Sequence, residues 1–145
     1  MKKLVIFGTG DIAQLAHFYF QHDGGREIAA FTVDDAFVAG PTFCGLPVVP
    51  FTEVASRYPP AEFDLFVALS YAKLNAVRCE KYLACKALGY ALASYVSSRA
   101  SVFPNVSYGE NCFILEDNTL QPFVKIGSNA TLWSGNHIGH HSTVG

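Results

Sequence analysis

His137, His140 and His141 fall within five residues near one end of the chain. An imidazole takes up and gives back a proton near neutral pH, so a cluster of this kind can supply a general base. A lone histidine would read as a polar turn facing solvent. Three in so short a span, set on an otherwise apolar stretch, read as a site. A second constellation stands near the other end. Residues 3–7 form an apolar run that passes directly into Gly8-Thr9-Gly10-Asp11-Ile12-Ala13. This matches Gly-x-Gly-x-x-Ala, in which the glycines let a phosphate approach the backbone and the following helix turns its N-terminus toward the anion. Gly8, Thr9 and Gly10 are therefore candidate phosphate contacts. Asp34 and Asp35, at the end of the next apolar run, stand where a ribose or base edge would be recognised. The competing readings are close packing for the glycines and a solvated strand end for the aspartates. Fewer than about a hundred residues are available for such a domain, too few for a second mononucleotide-binding half, which favours a nucleotide over a dinucleotide.

The elements that must position these residues follow from periodicity. From Val102 onward every sixth residue is aliphatic or aromatic: Val102, Tyr108, Ile114, Leu120, Ile126, Leu132, Ile138 and Val144. Neither a helix nor an ordinary strand repeats at six, but a parallel β-helix of hexapeptides does. Two residues before each of these positions lie compact ones, among them Cys112, Asn118, Val124, Ala130 and Asn136. Three hexapeptides close one triangular coil, so residues eighteen apart should stack at the strand spacing of about 4.8 Å. Gly109, Gly127 and Gly145 then share a column in which glycine is expected to provide the positive φ of a corner. Asn111 stacks on Asn129 and Asn118 on Asn136, where side-chain amides can bond along the column.

Ahead of the solenoid, strands and helices alternate. Strands are expected at 3–7, 27–33, 63–69 and 90–96, with helices from about 11 to 22 and from 72 to 88. The segment around Gly40-Pro41 and Cys44-Gly45-Leu46-Pro47 reads as a turn-rich excursion. Ile12, Leu15, Ala16 and Tyr19 form the apolar face of the first helix. The fold class is thus an α/β, Rossmann-like domain over 1–97, followed by a parallel β-helix over 98–145.

With 145 residues, 50% of them hydrophobic, the chain can bury a core, and a formal net charge of -2 gives no basic footprint for nucleic acid. Its apolar runs are strand-sized, which argues against a membrane span or a signal peptide. Cys44, Cys79, Cys85 and Cys112 show no metal-ligand spacing and read as reduced, packed thiols of a soluble cytoplasmic protein. Tyr71, Arg78, Tyr82 and Trp133 could line a sugar site, although packing explains them as well. Phe123 and Leu115 fall at outward solenoid positions and offer an apolar face to a neighbouring subunit.

Taken together, Phe7-Gly8-Thr9-Gly10, Val33-Asp34-Asp35, the junction Ser94-Tyr95-Val96-Ser97-Ser98 and the run Gly135 to Gly145 resemble the sialic-acid O-acetyltransferase (NeuD-type) family of sugar acyltransferases. The likeness covers essentially the whole chain. It implies a small Rossmann-like domain that holds a nucleotide-activated sugar, and a left-handed β-helix that forms a homotrimer and binds acetyl-CoA between subunits. No metal is expected. The family's catalytic histidine lies five residues before a hexapeptide glycine, and counting back from Gly145 reaches His140. His141 stands where relatives carry an acidic residue, and Asn136 and His137 could contact sugar or carbonyl. Relatives often carry a glycine-asparagine pair where this chain has Ala68-Leu69-Ser70-Tyr71. The family's solenoid continues for several more coils, which carry most of its acetyl-CoA contacts, so the chain is expected to be a piece of a longer enzyme, one that could bind a nucleotide sugar without transferring an acyl group by itself.

Two other readings compete. A nucleotide-sugar-binding or assembly module would use the same fold without transferring an acyl group. A γ-carbonic-anhydrase-like metal enzyme would also use a hexapeptide solenoid. That family, however, pairs two histidines five apart with a third upstream, whereas here the spacings are three and one and no histidine occurs between His22 and His137.

Overall fold

The computed structural model describes residues 2–69 and 76–145, and the chain divides into two compact units, Met1–Leu92 and Ala93–Gly145. In the first unit Lys3–Phe7 (β1), Asp11–His22 (α1) and Ile28–Val33 (β2) are followed by Thr42–Phe43 (β3), Leu46–Pro50 (β4), Phe51–Arg57 (α2), Phe63–Val67 (β5) and Ala76–Ala87 (α3). Among the described residues five strands form one sheet in the order β3-β4-β2-β1-β5. β1, β2, β4 and β5 run parallel, and β3 folds back on β4 as a hairpin. The expected turn does occur at Cys44-Gly45, both at positive φ. Leu46–Pro50 nevertheless joins the sheet, because Val48 and Val49 pair with Phe31 and Thr32 between the two prolines. Prolines at 47 and 50 hid this strand from a reading that treats proline as punctuation.

Alternation in the strands sends side chains to two covered faces. Val5, Phe7, Leu65 and Val67 pack with Val54, Cys85 and Tyr90 on the side of α2 and α3. Phe66 points the other way and meets Phe20 of α1 edge-on, with ring centroids 5.0 Å apart. Helix α1 buries Ala13, Ala16 and Phe20, a stripe displaced from the expected Ile12, Leu15, Ala16 and Tyr19. The small Ala13 explains the rotation: a Cβ on Gly8 would lie 3.5 Å from that of Ala13, so the helix starts close against the glycine turn. The first residues expected of the second long helix, 72–75, and Ser70 and Tyr71 lie outside the described residues.

Packed thiols describe only half of the cysteines. Cys85 and Cys112 are buried, while Cys44 and Cys79 are exposed. Burial pushes the Cys85 thiol up to about 12. A thiol-specific reagent at pH 8 should therefore label Cys44 and Cys79 quickly and leave Cys85 and Cys112 until the chain unfolds; rapid modification of all four would contradict this packing. Because the folded chain holds the Cys85 proton to higher pH than the unfolded chain, this residue's effect is a loss of stability as pH rises from about 9 toward 12.

The second unit is built from the two-residue strands Tyr95–Val96 (β6), Ser101–Val102 (β7), Ser107–Tyr108 (β8), Phe113–Ile114 (β9), Thr119–Leu120 (β10), Lys125–Ile126 (β11), Thr131–Leu132 (β12), His137–Ile138 (β13) and Thr143–Val144 (β14). They stack as three parallel sheets, β13-β10-β7, β14-β11-β8 and β12-β9-β6. Every pairing joins residues eighteen apart: Leu120 lies between Val102 and Ile138, Ile126 between Tyr108 and Val144, and Ile114 between Val96 and Leu132. This is the three-sided coil that the hexapeptide period predicts, and its geometry fits a left-handed β-helix. Ile114, Leu120, Ile126 and Leu132 form its core with Cys112, Val124 and Ala130. Tyr108 departs from the ladder, with its ring about half exposed. Leu115, expected to face outward, is buried, whereas Phe123 is exposed. The stretch expected as a fourth Rossmann strand divides. Leu92 makes one parallel bridge to Leu65, but Tyr95–Val96 belongs to the solenoid, one rung ahead of the first residue in the period-six ladder.

Positive φ recurs at the corners, though not in the glycine column. It falls on Asn111, Asp117, Phe123, Asn129, Gly135 and His141, again at a period of six. Gly109 and Gly127 serve a different need. A Cβ on Gly109 would stand 2.4 Å from Ser128 Oγ and 2.8 Å from Ser128 N, so glycine lets the next coil approach. Gly109→Ala should cost about 1–3 kcal/mol as overpacking; an unchanged melting temperature would show that the coil yields. The asparagine columns form as expected. Asn111 Nδ2 donates to Asn129 Oδ1 at 3.0 Å, and Asn136 N donates to Asn118 Oδ1 at 3.1 Å.

Candidate functional site

The corner between β13 and β14 brings two of the three clustered histidines together. His140 Nδ1 and His141 Nδ1 are 3.0 Å apart, and the rings stand nearly perpendicular. The coil beneath holds this corner: His140 N donates to Gln121 Oε1 at 2.9 Å, and His141 N donates to the Pro122 carbonyl at 3.2 Å. His141 adopts φ 61° and its ring stacks on that of Phe123, with centroids 4.8 Å apart and an interplanar angle of 21°. Phe123 is itself at φ 65°. The other corner residues in this conformation are Asn, Asp or Gly, which tolerate it, while Phe123 and His141 are the bulky exceptions and share one column. A left-handed residue with a Cβ costs about 1–2 kcal/mol, and strain of this kind persists only where the surroundings over-determine it. Both rings remain exposed.

His137 opens β13, three residues before His140, so its Cα lies up to about 10 Å from that of His140 along an extended chain. Among the described residues no hydrogen bond or ring contact joins it to the pair. The amide of Asn136 donates to the Trp133 carbonyl at 2.6 Å, and its backbone N–H is taken by Asn118. It therefore ties two coils together. Among the described residues no group of three His, Cys, Asp or Glu side chains is placed to hold a metal ion.

In the first unit Gly8 sits at φ 125°, and a Cβ there would be 2.6 Å from the Ala68 carbonyl oxygen. Close packing of the turn is thus a sufficient reason for this glycine. Gly10 differs, because nothing lies within 4 Å of the position its Cβ would take. A cavity of about 380 Å³ opens there, lined by Gly10, Asp11, Ile12, Ala68 and Leu69. It lies past the carboxyl ends of β1 and β5. The chain leaves β1 toward β2 on one side and reaches β5 on the other, which makes this the switch point where open parallel sheets take ligands. Thr9, half-buried, lies in the same turn.

Asp34 and Asp35 end β2 but have partners of their own. Lys81 Nζ of α3 stands 2.7 Å from Asp34 Oδ2 and lies over the rings of Phe7 and Phe51, 5.6 and 5.7 Å from their centroids. Asp35 accepts from Thr52 Oγ1 at 2.9 Å near the start of α2. Arg78 is buried, and Tyr82 packs against the α2–α3 side of the core; Tyr71 lies outside the described residues. Lys81 has no periodic or motif signal in the sequence, and its place beside Asp34 emerges only when α3 is laid on the sheet.

No family model and no curated protein matches the chain. Solved structures do. PerB from Caulobacter crescentus, determined in complex with CoA and GDP-perosamine, superposes with a TM-score of 0.80 at 23% identity, covering 97% of this chain and 64% of PerB. The acetyltransferase domain of PglB from Neisseria gonorrhoeae, in complex with acetyl coenzyme A, gives 0.80 at 19% identity over 98% of this chain and 66% of that one. WeeI from Acinetobacter baumannii gives 0.81 at 17% identity over 100% and 67%. At these identities the likeness shows a shared fold. The chain spans a little under two thirds of the length of PerB. No helix of the described residues is long and apolar enough to cross a membrane.

Proposed function

We propose that the chain is an acetyl-CoA-dependent sugar acyltransferase of the NeuD-type, hexapeptide-repeat family, acting on the amino or hydroxyl group of a nucleotide-linked sugar. The observation that carries this reading is the strained solenoid corner presenting the paired imidazoles of His140 and His141. His140 is the general base. Its Nε2 takes the proton from the sugar amine or hydroxyl as that group bonds to the acetyl carbon, and returns it to the departing thiolate when the carbon–sulfur bond breaks. Acetyl-CoA supplies the activated acyl group. Backbone N–H groups at a corner can donate to the carbonyl oxygen that gains charge.

The nucleotide sugar belongs, in this proposal, to a Rossmann-like first unit with strand order β4-β2-β1-β5. Gly8, Thr9 and Gly10 form the turn beside the switch-point cavity, and the N-terminus of α1 faces a phosphate there. Asp34 and Asp35 stand at the ribose or base end, and the ion pair with Lys81 adds a cation to that end. His137 and Asn136 flank the acceptor sugar as secondary contacts. The complexes of PerB with CoA and GDP-perosamine and of the PglB domain with acetyl coenzyme A support these two substrate classes. Assembly as a homotrimer would cover exposed solenoid residues such as Phe123. A cytoplasmic location is part of the same proposal.

Thermal shift with uridine-, thymidine- and guanosine-diphosphate sugars tests the first unit. A cognate ligand at 100 times its Kd should stabilise the fold by about 2.7 kcal/mol. No shift with any nucleotide sugar at millimolar concentration would overturn the assignment of this cavity.

A further inference from the structure

We propose that His141 is a positioning residue that sets the tautomer of His140, and that the ring of Phe123 one coil below holds His141 in place. This rests on the acyl-transfer reading for its purpose but not for its evidence. Two Nδ1 atoms 3.0 Å apart hold one hydrogen between them. One ring must donate and the other must accept, so in a neutral pair one imidazole is the Nδ1–H form and its neighbour the Nε2–H form. A base needs its lone pair at the nitrogen that faces the substrate. With His140 as donor through Nδ1, its Nε2 carries that lone pair, and His141 keeps its own hydrogen on Nε2.

The supports of His141 are unusual for a residue on an exposed turn. Its φ of 61° turns the side chain back over the preceding coil, where it lies flat on Phe123. Phe123 takes the same conformation at φ 65°, and its N–H donates to Asn105 Oδ1 at 3.2 Å. Asn105, Phe123 and His141 thus form one column, eighteen residues apart. A phenyl ring is the least suited of the corner side chains to positive φ, and within one chain its ring gains no core contact. Among the described residues of the chain, its ring contact is the stack on His141. Gln121, from the same lower coil, fixes the backbone of His140. The acceptor and the base are therefore both referenced to residues 121–123. A neutral imidazole acceptor fixes the tautomer as a carboxylate would, without placing a negative charge beside the base.

The test is spectroscopic and needs no substrate. Two-bond proton–nitrogen correlation on histidine-labelled protein, at a pH above histidine titration, reports which ring nitrogen carries hydrogen. The expected result is His140 as Nδ1–H and His141 as Nε2–H. His141→Gly keeps the positive-φ corner but removes the acceptor, and should return His140 to the Nε2–H form. His141→Asn tolerates the same φ and offers Oδ1, and should preserve Nδ1–H on His140. Phe123→Asn should lower the Nδ1–H fraction. In turnover, H141G should lower kcat at least about tenfold, bounded by the ~10²–10⁴-fold contribution of a general base, with little change in KM and with rescue in H141N. His140 as Nε2–H in the wild type, or a tautomer unchanged in H141G, would overturn the proposal. An unchanged spectrum in Phe123→Asn would remove the ring from it. Absence of acetyl transfer alongside the expected tautomers would instead count against the enzymatic reading.

Discussion

Replacing His140 by alanine is expected to lower acetyl transfer by about 10²–10⁴-fold while leaving the fold intact. The size follows from what a positioned base contributes to a reaction in which a proton leaves the nucleophile during attack. The selectivity follows from the local structure. The contact from Gln121 is made to the backbone N–H of His140, which alanine retains, and the ring itself is exposed. The stability change should therefore stay within about 0.5 kcal/mol. Rates with and without the ring, measured beside melting curves for both proteins, check this. A variant that melts normally and transfers acetyl at the wild-type rate would remove His140 from the chemistry.

Asn118→Leu should have the largest effect on stability. Asn118 is fully buried, and its Nδ2 donates to the carbonyls of Leu115, Leu132 and Trp133 while its Oδ1 accepts the N–H of Asn136. Leucine has the same branching but is bulkier, and it satisfies none of them. Each buried polar group left without a partner costs about 1–3 kcal/mol, so a total of several kcal/mol is expected. That is a large share of the stability of a small domain. Denaturant unfolding followed in the solenoid, for example by Trp133 fluorescence, should show the midpoint fall sharply. A midpoint close to wild type would mean that water enters and replaces the amide, and that the asparagine column contributes little.

The solenoid was legible because its core repeats. Period six, the eighteen-residue stacking and the asparagine columns could all be read from residue types, and the pairing of Leu120 with Val102 and Ile138 follows directly. The corner conformation was misplaced by two residues. Glycine at 109 and 127 drew attention as a carrier of positive φ, when its role is to admit the neighbouring coil. The corner had its own signal in the series Asn111, Asp117, Asn129 and Gly135, and Phe123 and His141 interrupt it. That interruption is visible in the sequence once the corner is known, but a phenylalanine at such a position is not expected from local preference.

In the first unit the parallel strands and α1 followed from apolar runs and the glycine turn. Strand β4 did not, because two prolines flank its valines. The pairing of Asp34 with Lys81 joins residues 47 apart, and no local pattern encodes it. The histidine cluster was legible as residue types. Its division into an interacting pair and a separate His137 was not, since that depends on where the chain turns between β13 and β14.

The most direct test of the account is transfer itself. The chain would be incubated with acetyl-CoA labelled in its acetyl group and with nucleotide-linked amino and hydroxy sugars, and the label followed into the sugar nucleotide. The account predicts label in at least one sugar nucleotide with the native chain and none above background with His140→Ala. Sugar nucleotides that bind without ever acquiring label, or equal labelling by both proteins, would contradict it.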